Sequence, residues 1–235
     1  MEERDLNVQH HVIVQESSKS PAAEAFRALR TNLWYTKGII PCSSVMFTSA
    51  GPGEGRSTTA LNTAVALAQT GSKVFLLDCD LRKPMQHKLL NVANRGFTNI
   101  LIFDTKIDEV ILETQIPNLY VIPCGPIPQN PSELLSLEKT RYVLSYLKTQ
   151  TKYLIIDAPP VITVTDTCLL ADQVEGVVMV INTNANRPEM IRQACNRLKN
   201  SNGNILGVVL NRVKIPAEYA HYYNYYEEAA VSGYK

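Results

Sequence analysis

Residues 43–61, SSVMFTSAGPGEGRSTTAL, restrict what this chain can fold into more than any other stretch. An apolar run, Val45-Met46-Phe47, leads into a glycine-rich bend, Gly51-Pro52-Gly53-Glu54-Gly55. Ser57-Thr58-Thr59-Ala60-Leu61 then reads as the start of a helix. Strand, glycine loop and helix in that order make a phosphate-binding loop. Glycines let the backbone turn tightly and bring its N–H groups close to phosphate oxygens. The helix N-terminus adds unpaired donors and the positive end of a dipole. The amides of Gly53, Glu54, Gly55, Arg56, Ser57 and Thr58 are therefore the candidate cradle, and the Ser57 hydroxyl stands where a Mg²⁺ ligand would. Two positions depart from the usual G-x-x-x-x-G-K-[ST]. Ala50 in place of the first glycine is a mild change. Arg56 in place of the lysine is not, because it exchanges a compact point charge for a wide, planar fork.

Two further motifs fit a phosphate loop. Lys73-Val74-Phe75-Leu76-Leu77 reads as a buried strand ending in Asp78-Cys79-Asp80. Carboxylates at the end of a parallel strand lie in the crevice where open α/β sheets bind ligands, so Asp78 and Asp80 are candidates to hold hydrated Mg²⁺ or accept a proton. Lys152-Tyr153-Leu154-Ile155-Ile156-Asp157 is the expected second metal-side strand of such a fold, with Asp157 facing the ion. Ala158-Pro159-Pro160 forces an extended exit. Further strands are expected at 119–122, 176–181 and 205–210, the last ending in Asn211-Arg212, with helices near 97–101, 107–111, 132–149, 166 onward and 188–200. This alternation predicts an α/β fold with a central, mainly parallel sheet covered by helices on both faces.

At 235 residues and 45% hydrophobic composition the chain suits one sizeable core. A net charge of +1 gives no reason to expect nucleic-acid binding. Cys42, Cys79, Cys124, Cys168 and Cys195 lack metal-ligand spacing and sit among apolar neighbours, which predicts reduced thiols in a cytosolic protein. With no signal peptide and no apolar run near 18 residues, any membrane role is expected to run through a partner. Residues 1–20 read as a polar, loosely docked arm. A helix follows over 21–37, capped by Ser20 with Pro21 in its first position. Phe26, Leu29 and Leu33 form its buried stripe, and Glu24, Arg27 and Arg30 recur every third residue on another face. The tail, 214–235, carries six of the eleven tyrosines, Tyr219, Tyr222, Tyr223, Tyr225, Tyr226 and Tyr234, and has no aliphatic periodicity.

Taken together, these residues resemble the bacterial tyrosine kinases of capsule and exopolysaccharide systems, in the form of the separate cytosolic kinase subunit. Ala50–Ser57 looks like the family's Walker A motif, Val74–Pro84 with Asp78-Cys79-Asp80-Leu81-Arg82-Lys83-Pro84 like Walker A′, and Leu154–Pro160 like Walker B. Glu24-Ala25-Phe26-Arg27-Ala28-Leu29-Arg30 matches its E-x-x-R-x-x-R oligomerisation motif, and the tyrosine cluster its autophosphorylation tail. The resemblance implies a P-loop kinase domain over 21–213 that binds ATP or ADP with Mg²⁺ held by Ser57, Asp80 and Asp157. It implies Asp78 as acceptor of the tyrosine proton and Asn211 and Arg212 beside the base. It also implies ring-forming subunits that phosphorylate one another's tails and exogenous tyrosine proteins. A transmembrane modulator's cytosolic tail would activate the kinase at the inner face of the membrane. Arg56 puts the transfer step in question and keeps open a non-catalytic scaffold of the same fold. A partitioning-type ATPase switch is the other alternative, against which Glu24, Arg27, Arg30 and the tyrosine tail argue.

Overall fold

The central strands are unbroken apolar runs, and a strand of that kind is stable only when both of its faces are covered. The computed structural model describes residues 12–16, 20–35, 43–185 and 187–214 and meets that requirement. The strands are β1 (Ser44–Ser49), β2 (Val74–Asp78), β3 (Leu112–Glu113), β4 (Leu119–Ile122), β5 (Tyr153–Asp157), β6 (Gly176–Asn182) and β7 (Ile205–Asn211). They form one sheet in the order β3-β4-β2-β5-β1-β6-β7. Every pairing is parallel except that of β3 with β4.

Alternation along the strands divides the core in two. Val45, Phe47, Val74, Leu76, Tyr153, Ile155, Val178 and Val180 face one layer. There α3 (Arg56–Ala68) lies directly on the sheet, and α1 (Ile13–Glu16) and α2 (Pro21–Tyr35) pack over it. Met46, Phe75, Leu77, Leu154, Ile156, Val177 and Met179 face the other layer. That layer is covered by α5 (Phe97–Phe103), α6 (Pro131–Ser136), α7 (Glu138–Gln150), α8 (Asp166–Ala171) and α9 (Pro188–Asn200); α4 (Gln86–Leu89) follows the loop after β2. The helices that follow neighbouring strands β1 and β5 therefore leave to opposite faces. Such a switch opens a crevice at the strands' carboxyl ends.

Several expectations need correction. The arm is not loose throughout: Val12 and Val14 are buried, and Val14 N–H donates to Asn62 Oδ1 on α3 at 3.2 Å. The apolar triplet Val12-Ile13-Val14 supplies this contact. The helix expected at 107–111 is a 3₁₀ turn, Ile107–Val110. The one expected over 132–149 is two, because Leu137 is extended (φ −65°, ψ 146°). Ser20 does cap α2, its Oγ accepting from Ala23 N–H at 3.2 Å; residues 36 and 37 lie outside the described residues. Cys79 and Cys124 are buried, Cys168 and Cys195 half-buried, and all four are free thiols. No helix among the described residues is long and apolar enough to cross a membrane.

Candidate functional site

The three sequence motifs meet because β2 and β5 are adjacent and in register. Asp78 sits opposite Asp157, and Asp157 opposite Phe47 of β1, two residues before the glycine loop begins to turn. The loop is built to hold its shape. Gly53 (φ 74°) and Gly55 (φ 91°) take the left-handed conformation that a side chain resists. The Glu54 carboxylate folds back onto the N–H of Gly51, and the Glu54 carbonyl accepts from Asn211 Nδ2 at 2.8 Å. Asn211, at the end of β7, is thus a strut beneath the loop. A Cβ on Gly55 would lie 2.1 Å from Asn211 Nδ2. Gly55→Ala is therefore expected to displace the strut, lower the melting temperature and weaken ADP binding by at least ~10-fold, about 1.4 kcal/mol; a fluorescent-nucleotide titration beside a thermal melt checks both effects.

The loop after β2 is clamped by its own aspartates. Asp78 Oδ1 accepts from Asp80 N–H (3.1 Å), and Oδ2 from Met85 and Gln86 N–H (2.9 Å each). Asp80 Oδ1 accepts from Arg82 N–H (3.2 Å) and Lys83 N–H (2.9 Å). Arg82 extends a fork to the buried Asp166, Nε–Oδ2 2.9 Å and Nη2–Oδ1 3.1 Å, with Ser132 Oγ donating to the same carboxylate at 2.8 Å. Asp78 has no exposed surface. Burial and the nearby Asp157 charge raise its carboxyl well above the usual range, against the pull of the Gln86 and Met85 amides. Both of its oxygens are taken up by backbone amides of the loop it clamps.

Arg56 decides the character of the site. Its side chain turns into the carboxylates: Nη2 pairs with Asp80 Oδ2, and Nε lies 3.6 Å from Asp157 Oδ1. Asp157 Oδ2 accepts from Gln86 Nε2 at 2.8 Å, and the same amide nitrogen donates to the Ser57 carbonyl at 3.1 Å. Sequence reasoning missed Gln86, since no periodicity or motif marks it. Burial raises the Asp157 carboxyl, with Arg56, the Ser57 hydroxyl and Gln86 opposing. Asp157 Oδ1 is buried and accepts no hydrogen bond, and the Arg56 Nε that faces it as an ion-pair partner donates none. Ser57, Asp80 and Asp157 carry hard oxygens of the kind Mg²⁺ takes beside phosphate and water, but the Arg56 guanidinium stands against Asp80 Oδ2 and Asp157 Oδ1. No group of three or more His, Cys, Asp or Glu among the described residues makes a cation cage, which Mg²⁺ does not need.

Beside the loop opens a cavity of about 520 Å³, lined by Ile13, Phe26, Thr58, Leu210, Asn211 and Arg212 among others. Arg212 holds a left-handed conformation there (φ 58°). The expected oligomerisation residues divide. Glu24 and Arg27 pair on the outer side of α2. Arg30 turns inward, donating from Nη1 to the Ala66 carbonyl of α3 at 3.0 Å and covering Trp34. Its third-residue spacing rotates it around the helix toward α3, so the three do not share one face. Tyr219, Tyr222, Tyr223, Tyr225, Tyr226 and Tyr234 lie outside the described residues.

Comparison with known proteins agrees with this geometry. A family model described as an AAA domain matches residues 44–205. Tyrosine-protein kinase YwqD of Bacillus subtilis is 35% identical over 222 residues, 93% of this chain and 94% of that protein. The crystal structure of the chimerical protein CapA2B2 has a TM-score of 0.84 at 37% identity, covering 88% of this chain and 91% of its own. The kinase domain of the Escherichia coli tyrosine kinase ETK also reaches 0.84, at 29% identity over 88% of this chain and 81% of its own. Similarity of this extent over most of the length settles the assignment: the chain belongs to the bacterial tyrosine kinases, protein-tyrosine kinases built on a P-loop fold.

Proposed function

We propose that this chain transfers the γ-phosphoryl group of ATP to tyrosines in the tail of a neighbouring subunit, and that this modification regulates capsule or exopolysaccharide synthesis and export. The observation that carries the proposal is the meeting of Ser57, Asp80 and Asp157 under a glycine loop, beside a cavity of a size that suits a nucleobase. The loop amides and the N-terminus of α3 would hold the phosphates. Ser57, Asp80 and Asp157 would hold Mg²⁺ only once Arg56 leaves the two carboxylates, and the ion would then supply charge neutralisation at the phosphates. The apolar walls from Ile13, Phe26 and Leu210 would cover the base, with Asn211 and Arg212 at its edge. Asp78 would take the tyrosine proton once residues 79–85 open. A partner's cytosolic tail would bring the kinase to the inner face of the membrane, and other tyrosine-bearing proteins would serve as further substrates. A phosphotyrosine blot on protein expressed with and without residues 214–235 tests the reading: the signal goes with the tail, and a signal that survives its removal places the acceptor elsewhere. The Arg56–Asp80 contact favours a second reading, a nucleotide-binding scaffold of the same fold, and under it no tyrosine phosphate forms.

The ring would rest on Glu24 and Arg27, whose positions on the outer side of α2 allow bidentate pairing across subunits. Glu24→Ala/Arg27→Ala is expected to give a folded, smaller species by light scattering. Arg30→Ala is expected instead to cost about 1–2 kcal/mol of stability through the lost Ala66 contact. An unchanged mass for the double variant of an oligomeric parent would place the interface elsewhere.

A further inference from the structure

The two carboxylate oxygens best placed for a metal ion, Asp80 Oδ2 and Asp157 Oδ1, both face one edge of the Arg56 guanidinium. The other oxygen of each carboxylate is already engaged: Asp80 Oδ1 by the Arg82 and Lys83 amides, Asp157 Oδ2 by Gln86. The arrangement is enclosed, with the Arg56, Asp80 and Asp157 side chains 9%, 2% and 0% exposed. One ammonium on a lysine stem is a single point charge, whereas the guanidinium edge presents Nε and Nη2 side by side to two separate carboxylates. Buried charges of this kind are held by their partner, and removing the partner is costly.

We propose that Arg56 is the resident cation of this carboxylate pair. It excludes Mg²⁺ from Asp80 Oδ2 and Asp157 Oδ1, so the chain takes a nucleoside diphosphate on its loop amides with little dependence on a divalent cation. Arg56 is then a specificity determinant for metal-free nucleotide. The inference rests on the nucleotide-site reading above, and its test separates the two.

The first arm uses the full chain without nucleotide, melted with EDTA or with millimolar Mg²⁺ at matched ionic strength. The parent melting temperature is expected to move by less than ~1 °C, and that of Arg56→Gln, with its carboxylates unpaired, to rise by about 3 °C or more with Mg²⁺. Arg56→Lys, which keeps a charge but loses the fork, serves in the same melt if the glutamine version does not fold. The second arm titrates a fluorescent ADP analogue. Parent affinity should agree within ~3-fold between EDTA and Mg²⁺, and Arg56→Lys should gain at least ~10-fold from Mg²⁺. An equal Mg²⁺ gain in parent and variants, or no Mg²⁺ effect on the melt of any version, overturns the proposal. Failure of every version to bind ADP would instead sink the nucleotide-site reading, with the melts still deciding the question of the metal.

Discussion

Replacing Arg56 with lysine is expected to raise single-turnover γ-phosphoryl transfer to tyrosine by at least ~10²-fold, roughly 3 kcal/mol of transition-state stabilisation. Phosphoryl transfer asks the protein for positioning and charge, and the charge must face the phosphates as they separate. Arg56 carries a charge but spends it on Asp80 and Asp157. A lysine in its place presents a compact ammonium that follows the moving charge and leaves Asp80 Oδ2 and Asp157 Oδ1 to the metal. The loop is indifferent to the exchange, because Gly53, Gly55, the folded-back Glu54 and the Asn211 strut set its shape. ADP affinity in EDTA should therefore change much less than the rate. Rapid-quench transfer from ATP on both versions measures it, and equal rates would show that Arg56 is a working substitute for lysine.

Asp80→Asn is expected to lower stability by about 3 kcal/mol, which for a chain of this size is about 6–12 °C in melting temperature. The amide can still accept from the Arg82 and Lys83 N–H groups, so the loop keeps its turn. Arg56 loses its ion-pair partner in an enclosed site, and Asp157 at 3.6 Å compensates only in part. The loss should shrink to about 1 kcal/mol in an Arg56→Gln background, where no buried cation is left behind. Calorimetric melts of the four versions give the coupling directly. A loss independent of residue 56 would mean that Asp80 stabilises the loop alone.

The parts that were legible in the sequence are those fixed by short-range rules. β1, β2 and β5 are central strands, and their apolar runs announce burial on both faces; the Asp at the end of each of the last two marks the crevice edge. Ser20-Pro21 announces a helix start, and the structure has that cap. What stayed hidden depends on the packing of distant segments. Val12 and Val14 are too short a run to read as core until α3 offers them a surface. Nothing between Ser136 and Glu138 is a helix breaker, yet Leu137 is extended there, and the Leu134 carbonyl finds Thr140 Oγ1 at 2.8 Å instead of an uninterrupted helix. Arg30 shares a spacing with Glu24 and Arg27 but not a direction. Gln86 gains its place only because Asp78 anchors the start of α4 beneath Asp157. Arg56 was visible as a substitution, and its occupation of the metal-side carboxylates was not.

Transfer between two different chains tests the account most directly. One chain carries Arg56→Lys and lacks residues 214–235; the other is full length and carries Asp157→Asn, so it offers a tail without a working metal side. The two are mixed with ATP and Mg²⁺, and phosphate is mapped by mass spectrometry. The account predicts phosphate on Tyr219, Tyr222, Tyr223, Tyr225, Tyr226 and Tyr234 of the Asp157→Asn chain, falling as the mixture is diluted and as Glu24→Ala/Arg27→Ala is introduced. A tail without phosphate in that mixture, although the first chain binds ATP, would contradict it.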